Sequence, residues 1–311
     1  MIGTWEDPRK VFGAAMCALG GQDSRIILLS ADSGKSSGFG EFMARHPGRY
    51  FEFGIMEQAV TGIAAGFATT GKIPVFCAIA PFVTARPYEM FRNDLGYMRQ
   101  NVKIVGRNGG ITYSDLGSTH HSLDDFAIMR MIPDVVLLSP QDPDEIRGAC
   151  RAMVNHVGPV YMRIGNGKIP NLFPAGPFEI GKGRLIQAGN DVTVISTGPA
   201  TAAVLEAQKH LESRGILAEC IGLPTLWPMD EKLILQSARK TGKVVTVEEH
   251  YQYGGLGTMV SDLLSEKLPT PVKKIGIPNC YATSGPYEEV LEKYGLDCGS
   301  ITASIEEFLR L

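Results

Sequence analysis

Short apolar runs alternate with helical stretches along the first half of this chain. That alternation restricts the fold more than any other feature. Strands are predicted at 25–29, 49–53, 73–78, 102–106, 135–138 and 160–163. Between them, near 8–20, 56–70, 85–98, 122–131 and 142–156, apolar residues recur at helical spacing. Strands separated by helices pair through crossovers, so the expected fold is α/β, a parallel sheet with helices on both faces. Residues 166–177 are rich in Gly, Pro and Asn and interrupt the pattern. A second series follows, with strands at 192–196, 217–221 and 244–247 and helices at 200–214, 230–240 and 257–267. Asp230 and Ser300 read as N-caps. The expected organisation is an α/β domain over 1–175, a linker over 176–187 and a smaller α/β domain over 188–311.

Composition narrows the class. The 311 residues are 44% hydrophobic and 20% charged, enough for two ordinary cores, and the net charge of −3 gives no general attraction to nucleic acid or an anionic membrane. No apolar run reaches the length of a membrane span, and residues 1–10 lack the apolar core of a signal peptide. Cys17, Cys77, Cys150, Cys220, Cys280 and Cys298 form no Cys-x-x-Cys pair and read as reduced core residues of a cytoplasmic protein. The six histidines show no metal-ligand spacing.

The segment Phe53-Gly-Ile-Met-Glu57-Gln-Ala-Val60 carries the chemistry. Its strand ends at Phe53, and Val60, Ile63, Ala64 and Phe67 then share one helix face. Glu57 therefore stands in the first turn of a mostly buried helix. A buried carboxylate is costly unless paired or protonated, which suits proton exchange with a bound heterocycle. The spacing is equally that of an ordinary acidic first-turn residue favoured by the helix dipole. Gly254-Gly-Leu-Gly257, after Val247-Glu-Glu-His250, is not a dinucleotide fingerprint and reads as a tight turn before a helix, with His250 supporting an interface.

The run FGIMEQAVTGIAAGFATTGKIPV resembles the pyrimidine-binding segment of the transketolase family of thiamine diphosphate enzymes. The resemblance covers nearly the whole chain. It implies a thiamine-diphosphate-binding pyrimidine domain followed by a transketolase C-terminal domain. It makes Glu57 the cofactor-activating residue, bonded to a ring nitrogen of the aminopyrimidine. Ile55 and Asp32 would lie beside the cofactor, and Phe82 and Tyr88 would wall the pyrimidine, although Ala85 stands where many relatives carry a third aromatic.

The stretch Ser118-Thr-His120-His121-Ser122-Leu-Asp-Asp125 reads as a loop entering a helix through a Ser122–Asp125 capping box. By resemblance, His120 is a catalytic residue that meets substrate hydroxyls or phosphate. Asp115 meets a hydroxyl. Asn108 occupies a position where many relatives have a histidine. Arg163 ends a strand, where ligands bind in parallel sheets. The resemblance assigns it, with Arg9 and Ser36, to the anionic tail of the sugar. The bland reading of Arg9 is a helix-surface charge, and of Asp32 a strand-end turn residue.

No Gly-Asp-Gly followed by Asn occurs here, the family's signature for holding the diphosphate and Mg2+. The expectation is a split enzyme. An N-terminal transketolase subunit would supply that site, and the cofactor would lie between chains in a two-fold heterotetramer. The expected reaction is ketol transfer from a ketose to an aldose. The alternatives are a 2-oxo acid dehydrogenase beta subunit, a deoxyxylulose-phosphate-synthase-like enzyme, or a non-catalytic module.

Overall fold

The computed structural model describes residues 3–311. Six strands of the first half form a parallel sheet in the spatial order Val136–Leu138, Val160–Arg163, Lys103–Arg107, Ile73–Ile79, Ile26–Ser30, Tyr50–Glu52. Each begins and ends within one residue of its predicted range. Ile26–Ser30 is buried along its length because both sheet faces are covered. Alternate side chains go opposite ways. Ile26 and Leu28 join Phe12, Met16, Ile146 and Met153 from helices Pro8–Gln22 and Pro143–Asn155. Ile27 and Leu29 join Val60 and Ala64 of helix Glu57–Thr69, with Phe91 and Phe126. Ile63 and Phe67 of the predicted helix face are only half-buried.

The second sheet runs Val272–Ile277, Val244–Tyr251, Val192–Ser196, Ala218–Gly222, Arg184–Gln187, and only the last strand is antiparallel. That edge strand lies inside the segment read as linker, so the second sheet begins before residue 188. Within the same segment, Phe178 and Ile180 pack on the core of the first sheet. Thr225–Trp227, from the second half of the chain, pairs antiparallel with Val136–Leu138 and completes a seven-stranded first sheet.

Other expectations are corrected locally. The helix predicted at 85–98 is a short turn, Tyr88–Met90, widening into a π-helix over Phe91–Tyr97. Pro87 has no N–H and disfavours helical backbone at Arg86. The capping box does not form. The helix shrinks to Asp125–Met129, and the Asp125 carboxylate turns inward to Tyr161 and Arg163. Asp230 caps its helix as predicted, but the last helix is capped by Asp297, whose carboxylate accepts the N–H groups of Gly299 and Ser300. All six cysteines are free; Cys280 is exposed and lies outside any core, whereas Cys298 is half-buried and packs against the core of the second sheet. Among the described residues no helix is long and apolar enough to cross a membrane.

Glu145 reports on this packing. It is buried, accepts the backbone N–H of Gln141 at 2.9 Å and lies 3.6 Å from the Arg184 guanidinium. Burial pushes its carboxyl from 4.5 up to about 7. Between those values the folded chain holds more protons than the unfolded one. The contribution of Glu145 is therefore full at low pH and is lost as pH rises through about 7. Urea unfolding of wild type and Glu145→Gln across this window should show their stability difference shifting against wild type as pH rises, by at most about 1.4 kcal/mol per pH unit. A difference that stays flat would refute the assignment.

Candidate active site

Most of the candidate residues follow the carboxyl ends of parallel strands of the first sheet, while Arg9 comes from helix Pro8–Gln22 and Arg163 ends its own strand. Glu52 organises the loop leading to Glu57. Its carboxylate accepts the backbone N–H groups of Asp32 at 2.6 Å, Phe53 at 3.1 Å and Gly54 at 3.2 Å, and the Tyr50 hydroxyl at 2.7 Å. Burial pushes this carboxyl up, but those bonds outweigh it and hold it below its ordinary value. Gly54 turns the chain with φ 73°, and the helix begins at Glu57. Asp32 is exposed, with φ 53°, and contributes its backbone rather than its side chain to this network.

The Glu57 side chain is 4% exposed, yet it is paired. Arg86 Nη1 donates to Glu57 Oε2 at 2.7 Å, and the same guanidinium lies over the Phe82 ring at 4.2 Å. Phe82 in turn meets His120 edge-on, with centroids 5.2 Å apart, and His120 meets Tyr113 at 5.5 Å. His120 Nδ1 shares a hydrogen bond with Thr119 Oγ1 at 2.9 Å. Glu57, Arg86, Phe82, His120 and Tyr113 thus form one continuous wall. Tyr88 packs half-buried against the core, and Ile55 is 73% exposed at the rim. His121 points elsewhere, into a cavity of about 90 Å³ beside Ser118, Asp124 and Tyr251. Burial there lowers its pKa.

A cationic corner adjoins Tyr113. Gly13 of the first helix approaches Gly38 so closely that a Cβ would sit 2.0 Å from the Gly38 carbonyl oxygen. This contact draws the loop of Ser36 and Ser37 onto the sheet edge. Arg107 donates to Ser36 Oγ at 2.9 Å and to Ser37 Oγ at 3.2 Å. Burial lowers the Arg107 pKa, and the charges of Arg9 and Tyr113 also act on it. Arg9 is clamped by both Asp7 oxygens, at 3.1 and 2.9 Å, which raises its pKa. Asn108 is buried in the turn after Arg107, at φ 57°, a left-handed conformation that asparagine tolerates well.

Two predicted residues lie apart from this wall. Asp115 lines a cavity of about 590 Å³ between the two domains, with Ser114, Asn166 and Lys168. Arg163 is 3% exposed and enclosed. It donates to Asp125 Oδ1 at 3.0 Å, stacks over Phe126 at 3.9 Å and sits where a Cβ on Gly109 would fall, 2.2 Å from its Cγ. It supports the turn that carries Asn108.

The sequence reading missed Glu52, Arg86 and Arg107 as site residues. Arg107 ends a parallel strand, the same signal that singled out Arg163. Arg86 lies within the segment that supplied Phe82. Its ion pair with Glu57 spans 29 residues and left no local trace. The glycine turn plays the predicted structural part. Glu248 accepts the N–H groups of Leu256 and Gly257 at 2.7 Å each, and a Cβ on Gly255 would lie 2.2 Å from its Oε2. Burial raises the Glu248 pKa. His250 is buried at the domain junction, stacked on Phe126.

An acceptor carboxylate beside an aromatic face fits a flat heterocycle that donates an N–H. The Arg86 guanidinium, itself flat and N–H-donating, already meets both groups, so the residues present match a bound aminopyrimidine. Among the described residues no cluster of three or more His, Cys, Asp or Glu side chains is placed to hold a metal ion.

Known proteins place this geometry in context. Residues 7–170 match the transketolase pyrimidine binding domain, and residues 181–301 match the transketolase C-terminal domain. The chain is 36% identical over 304 residues to one of the subunits of the apulose-4-phosphate transketolase of Phocaeicola vulgatus, covering 97% of each chain. It is 36% identical over 287 residues to a 6-deoxy-6-sulfo-D-fructose transketolase subunit of a Clostridium species, covering 92% of this chain and 89% of that one. A solved structure described as a split gene transketolase, inactive beta4 tetramer, superposes with a TM-score of 0.92 at 38% identity, covering 98% of this chain and 99% of that one.

Proposed function

Because the chain belongs to the transketolase family, we propose that it is the carboxy-terminal half of a split transketolase. A separate N-terminal subunit would hold the diphosphate and Mg2+ of thiamine diphosphate, and the pair would move a two-carbon ketol unit from a ketose with an anionic tail to an aldose. Thiamine diphosphate, when bound, supplies the carbon nucleophile and electron sink for breaking a bond next to a carbonyl. The residues of this chain do the rest. Glu57 holds the proton at the ring nitrogen, and Phe82 flanks the ring. Asp32, Ile55 and Tyr88 border the seat. His120, half-buried on the same wall, contacts substrate hydroxyls, with Asn108 and Asp115 as further hydroxyl contacts. Arg9, Ser36 and Arg107 receive the anionic tail, a bidentate task that suits arginine. Arg163 holds the turn beneath them and bears on the tail through that turn.

The carrying observation is the buried Glu57 carboxylate opening a helix beside the face of Phe82. The names of the relatives, one a phosphate and one a sulfo sugar enzyme, favour an anionic tail but leave its kind open. Calorimetric titration of thiamine diphosphate with Mg2+ tests the two-chain reading. Strong binding is expected only when the partner subunit is present. Equal affinity for this chain alone would overturn the split architecture. A screen of sugar phosphates against sugar sulfonates then identifies the donor.

A further inference from the structure

We propose that Arg86 is a reversible occupant of the cofactor's seat, holding the pyrimidine pocket shut until thiamine diphosphate displaces it. The inference rests on the reading of Glu57 and Phe82 as that seat. A guanidinium is planar and offers N–H donors in its plane. Here one N–H meets the Glu57 carboxylate at 2.7 Å while the plane covers Phe82 at 4.2 Å. These are the two contacts, a donated hydrogen bond and a stacked face, that a protonated aminopyrimidine needs from the same residues. Ring and guanidinium cannot hold both at once.

The two members of the ion pair differ in mobility. The Glu57 side chain is 4% exposed and fixed at the start of a helix, whereas the Arg86 side chain is 36% exposed on a turn beside Pro87. Arg163 shows what a permanent buried arginine looks like here: 2% exposed, with Asp125, the Ser122 carbonyl and the Phe126 ring all engaged. Arg86 has Glu57 and Phe82 alone among the described residues, and Ala85 beside it presents no bulk to trap it. The pair solves a physical problem for the free chain. A buried carboxylate without a partner is costly, and a nearby cation able to withdraw to solvent relieves that cost without closing the pocket permanently. The consequence is a lowered apparent affinity, because the competent, Arg86-out state is only a fraction of the ensemble.

The test is thiamine diphosphate with Mg2+ titrated into the assembled two-chain protein, with affinity as the readout. Arg86→Ala should bind up to about fivefold more tightly than wild type, the size expected on releasing one half-exposed ion pair, while Glu57→Ala loses binding. Arg86→Gln, which keeps an amide donor without the charge, should fall between, and it carries the same comparison if the alanine variant does not fold. A crystal structure of the loaded assembly should show the guanidinium off the Phe82 face. Unchanged or weaker affinity in both Arg86 variants, with Glu57→Ala still defective, would overturn the gate while leaving the seat in place. Unchanged affinity in Glu57→Ala would overturn the seat, and the gate with it.

Discussion

Glu57→Ala, assembled with its partner and supplied with thiamine diphosphate, should lose ketol transfer by roughly 10²–10⁴-fold, the range for removing a positioned proton-transfer group. The carboxylate opens helix Glu57–Thr69, is buried, and accepts from Arg86 at 2.7 Å, so it is held at one fixed place on the wall beside Phe82. The fold should survive the change, because the Arg86 side chain is 36% exposed and returns to solvent when its partner goes. Steady-state turnover and thermal melting of the same preparation separate the two effects. Near-normal turnover in a folded variant would refute the role of Glu57.

The second large effect concerns stability. Asp125→Ala should destabilise the chain by about 3–5 kcal/mol, because it strands a buried guanidinium. The side chains of Arg163 and Asp125 are 2% and 0% exposed, and Asp125 also accepts the Tyr161 hydroxyl at 2.6 Å. Arg163→Met combined with Asp125→Leu should recover part of the loss, since charge and counter-charge then leave together. Urea unfolding with an unchanged slope is the measurement. A cost below about 1 kcal/mol, the level of a surface ion pair, would show that water reaches this pair. It would also restore Arg163 as a direct contact for an anionic substrate, to be read as a raised KM at constant stability.

The strands of the first sheet were legible because each is a short apolar run between turn residues, and a strand buried on both faces needs no partner to be recognised. The same holds for Glu57, whose place between a strand and an apolar helix is a local pattern. The failures share a physical cause. Asp125 reads as a cap for its own helix, but the charge of Arg163, 38 residues away, draws it inward. Thr225–Trp227 follows a strand of the second domain, yet its hydrogen bonds are satisfied by Val136–Leu138. Arg184–Gln187 sits in a stretch rich in Gly and Pro, and only the open edge of Ala218–Gly222 makes it a strand.

Periodicity and residue type alone were enough for two α/β units and for a parallel sheet with helices on both faces. Those properties follow from local burial patterns, which a linear string records. Which charges meet was decided in three dimensions: Arg86 on Glu57, Arg107 on Ser36 and Ser37, Asp125 on Arg163, and Asp115 turned toward the domain cleft. Side chains that must satisfy one another across tens of residues leave no period in the sequence. Only packing selects among the partners that electrostatics would accept.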